Sequence, residues 1–408
     1  MLQNPFYLFF TACLGLFFWA GYRRIFAEVP YRHSLWSFLG EECAPGQRRA
    51  IVRALLAGLP GDSGTMAWIL TMAALCLGGA GALFWYLVFS LLWLHPLGAL
   101  AGLWRYYQPG CGGRVELSAL LEGILCRKRA RARPGLGRLL RWLQTLALCG
   151  MLPLLFRILA SPSAPARGAE LLPWLVVLLA LWLLCRLVGE RGETVLSLLF
   201  LLLLAAALLG NLPNLIPAVK LVLLDAFDRS RFLFSLSGAG LAAALQAGGA
   251  AGCGGALLRT LSAREEGPSF AHPAQAAFYE ELRGLLQLTV QLALGLLFLC
   301  ARLVPEDNRW PQTCLWAFLC LFGLLWLGRV VRALARPEGR RCGLLCLGLV
   351  GAAAVWDIWK GTALLPGLSG GAAGLASLAL AGLLLFDSNW YFLLLEHYRD
   401  VHIWHVKI

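Results

Sequence analysis

The chain has 408 residues, of which 59% are hydrophobic and only 14% are charged, and its mean hydropathy is +0.71. A soluble globular protein is about 45–50% apolar and about 25% charged, so this composition excludes an ordinary soluble domain. The formal net charge of +13 does not indicate nucleic-acid binding, because the basic residues lie in the gaps between apolar runs.

Apolar runs follow one another along the chain and predict an all-α integral membrane protein with about 11 transmembrane helices. Residues 174–187 and 196–209 are apolar on every face of a helix, as expected for helices surrounded by lipid or by other helices. The predicted spans are residues 5–22, 64–77, 80–104, 137–159, 171–185, 194–215, 238–258, 284–304, 312–328, 342–358 and 366–386.

Lysine and arginine fall mainly in alternate gaps between these spans. Of the 35 basic residues, 27 lie in one alternate set of gaps. Basic residues collect on the cytoplasmic side of membrane proteins, so we expect the N-terminus outside and the C-terminus in the cytoplasm. The basic-rich gaps are residues 23–63, 105–141, 186–193, 259–283, 329–341 and the tail after residue 387.

Sequence signals for other functional classes are missing. The 13 cysteines include no CxxC pair and the six histidines are dispersed, so we predict neither a disulfide framework nor a metal site or cofactor. No GxSxG, P-loop or HExxH motif occurs, and we predict that the protein is not an enzyme. Met1–Pro5 carries no basic residue, so the first run is expected to be a retained span rather than a cleaved signal peptide.

The number of predicted spans suggests an internal repeat. One extra N-terminal helix is followed by ten more, which can be divided into two sets of five. Because five is odd, the second set starts on the opposite side of the membrane from the first. That is the arithmetic of the inverted repeats of many secondary transporters, whose ligand site lies near the bilayer midplane at a broken helix. The predicted units are residues 1–60, with the first helix and a basic loop, then 61–236 and 237–408, one repeat each.

Glycine is concentrated at the first helix of each predicted repeat. Gly58–Thr65 combines glycine, proline, small polar residues and the carboxylate of Asp62, and Gln246–Gly255 contains five glycines within eight residues. Because glycine costs about 1 kcal/mol relative to alanine inside a helix, such clusters indicate either a broken helix or very close packing between helices. The carboxylate of Asp62 could hold a cation or could cap the helix that follows.

Several segments resemble a known family. Leu77–Trp85 is similar to the LGGPGAxFW motif of the sodium:alanine (alanine/glycine:cation) symporters, and Arg105 lies where that family closes the same helix with a basic residue. The resemblance implies the leucine-transporter fold. Weaker matches, in the same order along the chain, are Leu215–Ala218 followed by Gly248–Gly252, His272–Gln275 and Val355–Ile358.

The chain also departs from the family at positions near the family's ligand site. Thr65 is retained, but Met66, Ala67 and Leu70 stand where the family has Gly, Asn and Gly in GTGNIAG. The SNEAG segment after the second motif is missing as well. These departures leave two hypotheses open, a transporter with an altered substrate and a transport-inactive relative that acts as a membrane scaffold or accessory subunit. Bulky Met66, Trp68 and Leu70 facing the centre of the bundle would favour the scaffold.

The resemblance implies a secondary transporter that couples a cation, Na⁺ or H⁺, to symport of a small amino acid such as alanine or glycine by alternating access. It places the protein in a bacterial inner membrane, with the lipid bilayer, the amino acid and a monovalent cation as its partners. The resemblance does not identify an oligomeric state. The expected substrate- and cation-binding residues are Asp62, Ser63, Gly64, Thr65, Gly248, Gly249 and Gly252.

Overall fold

A computed structural model describes residues 45–57, 62–107, 171–188, 192–227, 240–262, 270, 273–300, 310–334 and 340–359, together with isolated positions between residues 8–20 and 142–149. Within these ranges the chain is helical and contains no strand. The helices are α1 (Pro45–Ala57), α2 (Asp62–Gly78), α3 (Ala82–Tyr107), α4 (Leu171–Val188), α5 (Gly192–Gly210), α6 (Leu212–Phe227), α7 (Gly240–Ser262), α8 (Pro273–Cys300), α9 (Trp310–Leu334) and α10 (Arg340–Trp359).

The predicted all-helical class is confirmed for the described residues, and eight predicted spans coincide with helices α2–α5 and α7–α10. The predicted span at 366–386 lies outside the described residues, and those at 5–22 and 137–159 are described only at scattered positions. The total of about eleven spans and the division into 1–60, 61–236 and 237–408 therefore stay predictions.

Some of these helices are long and apolar enough to cross a membrane. Among the described residues, the segments Ala82–Ala99 of α3 and Gln275–Cys300 of α8 have the required length and hydropathy. The consecutive helices α5 and α6 meet the same condition only when they are taken together as one bent span. Helices α4, α9 and α10 contain shorter apolar stretches, which are Leu172–Leu184, Thr313–Leu325 and Gly343–Ala352 respectively.

The chain bends by 88° between α5 and α6, inside the predicted span over 194–215. Asn211 occupies the bend. Its side-chain amide donates a hydrogen bond to the Ala207 carbonyl oxygen (2.8 Å), and its own carbonyl oxygen accepts from the backbone N–H groups of Asn214 and Leu215. Asn211 thus closes α5 and starts α6, and Pro213 falls in the first turn of α6, where a missing N–H costs little.

The glycine-rich segment had two interpretations, a broken helix or close packing. The broken helix is wrong, because α7 is continuous from Gly240 to Ser262. Close packing explains the glycines instead. A Cβ atom on Gly248 would collide with the carbonyl oxygen of Ala82, and one on Gly252 would lie 2.8 Å from that of Tyr86. The two glycines form a GxxxG pair that seats α7 directly on the backbone of α3, as small residues do in membrane helices.

A second glycine pair seats α8 against α3. A Cβ atom on Gly102 would collide with the backbone of Ala277, and one on Gly98 would lie 2.6 Å from Cγ of Glu281. Residue numbers fall along α8 as they rise along α3, so the two helices are antiparallel. Helix α3 therefore lies at the centre of the described bundle, with α7 and α8 both in backbone contact with it.

A tight turn joins α2 to α3 and is held from a distant part of the chain. Gly79 has a φ of 71°, a conformation that glycine adopts without strain. The backbone N–H of Ala80 donates to Oδ2 of buried Asp225 (3.1 Å), and Nε1 of Trp85 donates to the carbonyl oxygen of Ala226 (3.0 Å). The last turn of α6 thus binds the start of α3.

Candidate functional site

The sequence-predicted site divides into two parts. Asp62, Ser63, Gly64 and Thr65 form the first turn of α2, whose backbone is helical; their side chains lie outside the described part of the structure. Gly248, Gly249 and Gly252 are buried in α7, and the atoms nearest to an added Cβ belong to α3 and Leu8. Helices α2 and α7 do pack together, but the contact that the glycines show between them is at the opposite end of α2, where Gly78 meets Ala243 and Ala244.

Bulky side chains fill the bundle next to this predicted site. Trp68, Ile69 and Leu70 are all buried in the main hydrophobic core, and Trp68 makes an edge-to-face contact with Trp316 of α9 (5.7 Å between ring centroids). The side chain of Met66 lies outside the described residues. In this conformation the centre of α2 is therefore packed with aromatic and aliphatic groups.

Polar side chains are instead concentrated between α3 and α8. Four polar residues at helical spacing along one face of α8 are buried, with exposed fractions of 2–7%. Together with two residues of α3 they form what we call the polar seam. Its members are Tyr86, Arg105, Glu280, Arg283, Gln287 and Gln291. From Glu280 to Gln291 the seam extends about 16 Å along α8, roughly half of the hydrocarbon thickness of a bilayer.

The charged end of the seam is a buried ion-pair cluster. Nε and Nη2 of Arg105 each lie 2.6 Å from Oε1 of Glu280, and Nη1 of Arg283 lies 3.6 Å from Oε2 of the same carboxylate. The Arg105 guanidinium also lies over the ring of Tyr279, 5.1 Å from its centroid. One carboxylate therefore contacts two guanidiniums, and the cation–π contact adds to the stabilisation of Arg105.

The inner end of the seam is neutral. The hydroxyl of Tyr86 donates a hydrogen bond to Oε1 of Gln291 (2.6 Å), and both side chains are buried. This bond joins the N-terminal part of α3 to the C-terminal half of α8. The seam thus passes from charged groups at one end to amide and hydroxyl groups at the other.

A small cavity lies beside the seam. Its volume is about 30 Å³, which is enough for one or two water molecules but far below the size of a pocket for an organic ligand. Both polar and apolar residues line it. The lining residues are Trp93, Leu94, Leu97, Gly98, Ala101, Ala256, Glu280, Arg283, Gly284 and Gln287.

A second ionisable pair bridges the same two helices. Nδ1 of His95 lies 3.1 Å from Oε2 of Glu281, and the two side chains are 48% and 15% exposed. Gly98, one turn along α3, lets the Glu281 side chain lie directly against the α3 backbone. Glu280 and Glu281 thus make different pairs, one with a buried guanidinium and one with a partly exposed imidazole.

The sequence did not reveal the seam, because the predicted start of α8 was about eleven residues too late. With the span predicted to begin at residue 284, Glu280 and Arg283 fell in a cytoplasmic loop, whereas α8 begins at Pro273. Proline at a first helical position is a usual start signal. The 3- and 4-residue spacing of Glu280, Arg283, Gln287 and Gln291 on a helix begun there would have indicated one buried polar face.

Among the described residues no group of three or more His, Cys, Asp or Glu side chains could hold a metal ion. Comparison with protein-family models and with curated proteins finds no match for this chain. The geometry of α3, α7 and α8 is accordingly the basis on which a function is assigned.

Proposed function

We propose that this protein is a multi-pass membrane protein of the secondary-transporter type, which couples a cation to the movement of a small amino acid. One observation carries the proposal. Two helices of membrane-spanning length, α3 and α8, enclose a buried row of charged and amide side chains beside a water-sized cavity. Polar groups are expensive inside a bilayer and are kept there mainly along solute and ion pathways. Gln287 and Gln291 lie within the predicted span, and the cluster of Arg105 and Glu280 lies at its predicted cytoplasmic end.

The proposed topology has the N-terminus outside and the C-terminus in the cytoplasm of a bacterial inner membrane, and the packing of the helix ends agrees with the predicted grouping of segments on two sides. Segments predicted to be cytoplasmic contact one another: Ile51 of α1 packs with Tyr279 of α8, and Arg105 of α3 pairs with Glu280. Segments predicted to be outside also meet, since Asp225 binds the α2–α3 turn. An error of one span in the prediction would have placed some of these partners on opposite sides.

The small volume of the cavity limits what the described conformation can hold. A water or a monovalent cation fits beside Gln287, but an amino acid does not. The described state is therefore closed, and uptake of a solute requires α3, α7 and α8 to move apart. Sequence-predicted residues such as Thr65 and Gly252 could contribute to the site only in such an open state.

A transport-inactive membrane scaffold is the second candidate, and a specific observation favours it. Trp68 and Leu70 are buried at the centre of the bundle, and α7 is continuous through Gly248–Gly255 and lies flush against α3. The broken helix on which alternating access depends in the resembled fold is thus not present in α7. A scaffold needs only this tight packing and an exposed surface.

A ligand-dependent stability measurement distinguishes the two candidates. We expect a small amino acid to raise the Tm of the purified protein only when Na⁺ is present or the buffer is acidic. A ligand at 100 times its Kd adds about 2.7 kcal/mol to the free energy of unfolding, which such a measurement detects. Uptake into liposomes should then be lost in Gln287→Leu and kept in Leu285→Ala, which alters an exposed position of the same helix. No response to any amino acid under any cation condition would favour the scaffold.

A further inference from the structure

The two neighbouring carboxylates of α8 have partners of different chemistry. Glu280 is paired with Arg105, whose guanidinium stays protonated at every accessible pH. Glu281 is paired with His95, whose imidazole ordinarily gains or loses a proton near neutral pH. The first pair is therefore permanent, while the second exists as an ion pair only when a proton is bound.

The surroundings of His95 make this difference consequential. His95 belongs to Ala82–Ala99 and Glu281 to Gln275–Cys300, the two segments with membrane-spanning length and hydropathy. Pro96 follows His95 inside α3, and its missing N–H removes one backbone hydrogen bond at the level of the pair. The pair thus links α3 to α8 beside a position where the α3 backbone lacks one hydrogen bond.

We propose that His95 and Glu281 form a proton-binding site that holds α3 against α8 and loosens the contact when the proton leaves. On release, the Nδ1–H or Nε2–H bond of the imidazolium breaks and the proton passes to water, leaving a neutral imidazole beside the Glu281 carboxylate. The attraction between two full charges across the 3.1 Å contact is then lost, and at most a weaker hydrogen bond from the neutral imidazole to the carboxylate remains. If the pair is also the coupling site, the coupling ion is a proton; this part of the inference rests on the proposed transport function.

Other charged groups near the pair do not titrate in the same range or face elsewhere. On α8 they are Glu280 and Arg283, which belong to the buried cluster with Arg105 of α3. On α1, packed against Ala276 and Tyr279, they are Arg48, Arg49 and Arg53. On α6, which contacts both α3 and α8, they are exposed Lys220 and buried Asp225, whose Oδ2 accepts a hydrogen bond from the Ala80 N–H. The face of α7 from Gly248 to Ala256 that meets α3 carries no charge.

The test is the pH dependence of the Tm of the purified full-length protein. The ion pair needs a protonated imidazole, so its contribution is present at low pH and is lost as the pH rises. We expect the Tm of the wild type to fall by about 1 °C between about pH 5.5 and pH 8.5, and this fall to be absent in His95→Gln and in Glu281→Gln. His402→Gln, at a histidine of the C-terminal tail, is the matched control and should keep the wild-type slope.

A second variant guards against a folding failure of the first. In His95→Lys the charge opposite Glu281 is fixed, so the Tm should stay at its acidic value across the whole range. A wild-type slope in either His95→Gln or His95→Lys would overturn the proposal.

Transport by the same variants separates this proposal from the proposed function. Proton-gradient-driven uptake into liposomes should be lost in His95→Lys, while exchange of labelled for unlabelled solute without a gradient should persist. Gradient-driven uptake by His95→Lys at the wild-type rate would overturn the coupling role. A pH-dependent Tm that requires His95, in a protein that transports nothing, would support the proton site and reject the transport function.

Discussion

Replacing Glu280 by glutamine tests whether the buried cluster is held together by charge. The side chain keeps its shape, but Arg105 and Arg283 then lie 4–6% exposed beside a neutral amide instead of a carboxylate. Removing one partner of a buried ion pair costs about 3–5 kcal/mol, because the remaining charge is left in an apolar environment without its counter-ion. At roughly 1 °C per kcal/mol for a chain of 408 residues, we expect the Tm to fall by about 5 °C.

A double substitution sharpens this prediction. Arg105→Met combined with Glu280→Gln removes one guanidinium together with the carboxylate. The net charge of the buried cluster then returns to its wild-type value. The double variant should be more stable than Glu280→Gln alone. Lys220→Met, at an exposed position of α6, is the control and should change stability by less than about 0.5 kcal/mol.

Intrinsic fluorescence follows unfolding directly, because the chain contains 16 tryptophans. Two outcomes would refute the reasoning. A Tm of Glu280→Gln within about 1 °C of the wild type would show that water already reaches the cluster, since solvated ion pairs contribute little. A double variant less stable than Glu280→Gln would show that Arg105 stabilises the protein mainly through its stem and its contact with Tyr279.

Three further substitutions probe the packing of the bundle. Gly102→Ala should lower the Tm strongly, because its Cβ would collide with the Ala277 backbone. The control Gly351→Ala meets no atom within 4 Å and should be neutral or stabilising by up to about 1 kcal/mol. Equal effects of the two in thermal unfolding would contradict the α3–α8 contact. Asp225→Ala leaves the Ala80 N–H without its acceptor and should cost about 1–3 kcal/mol, while Asp225→Asn, which keeps an acceptor oxygen, should cost less; the reverse order would exclude the hydrogen bond as the cause. Trp316→Ala should cost about 3–5 kcal/mol, and an unchanged Tm would mean that the core around Trp68 is not tightly packed.

Much of the secondary structure could be predicted from hydropathy alone. Helices α2, α3, α4 and α7 lie close to their predicted spans, because an apolar run of about 20 residues has few alternatives to a helix. Ends were less predictable. The bend at Asn211 depends on one side-chain hydrogen bond, and the early start of α8 was hidden by Glu280 and Arg283, whose charge resembles that of a loop.

The candidate site was less predictable than the helices. Glycine clusters in α7 were correctly singled out as unusual, but a sequence cannot tell a broken helix from one that touches a neighbour. Contact between Gly248 and the backbone of Ala82 decided for the second alternative. Likewise, nothing local to Arg105 shows that its partner is Glu280, 175 residues away.

The sequence by itself determined that this chain is apolar, helical and organised in runs of membrane-spanning character, because those properties follow from composition and hydropathy period. The tertiary structure alone decided which polar groups meet. Glycines at 98 and 102 allow α8 to approach α3 closely, and that approach brings Glu280 to Arg105, Glu281 to His95 and Gln291 to Tyr86. Pairing of this kind depends on the distance between two helix axes, which no single helix specifies.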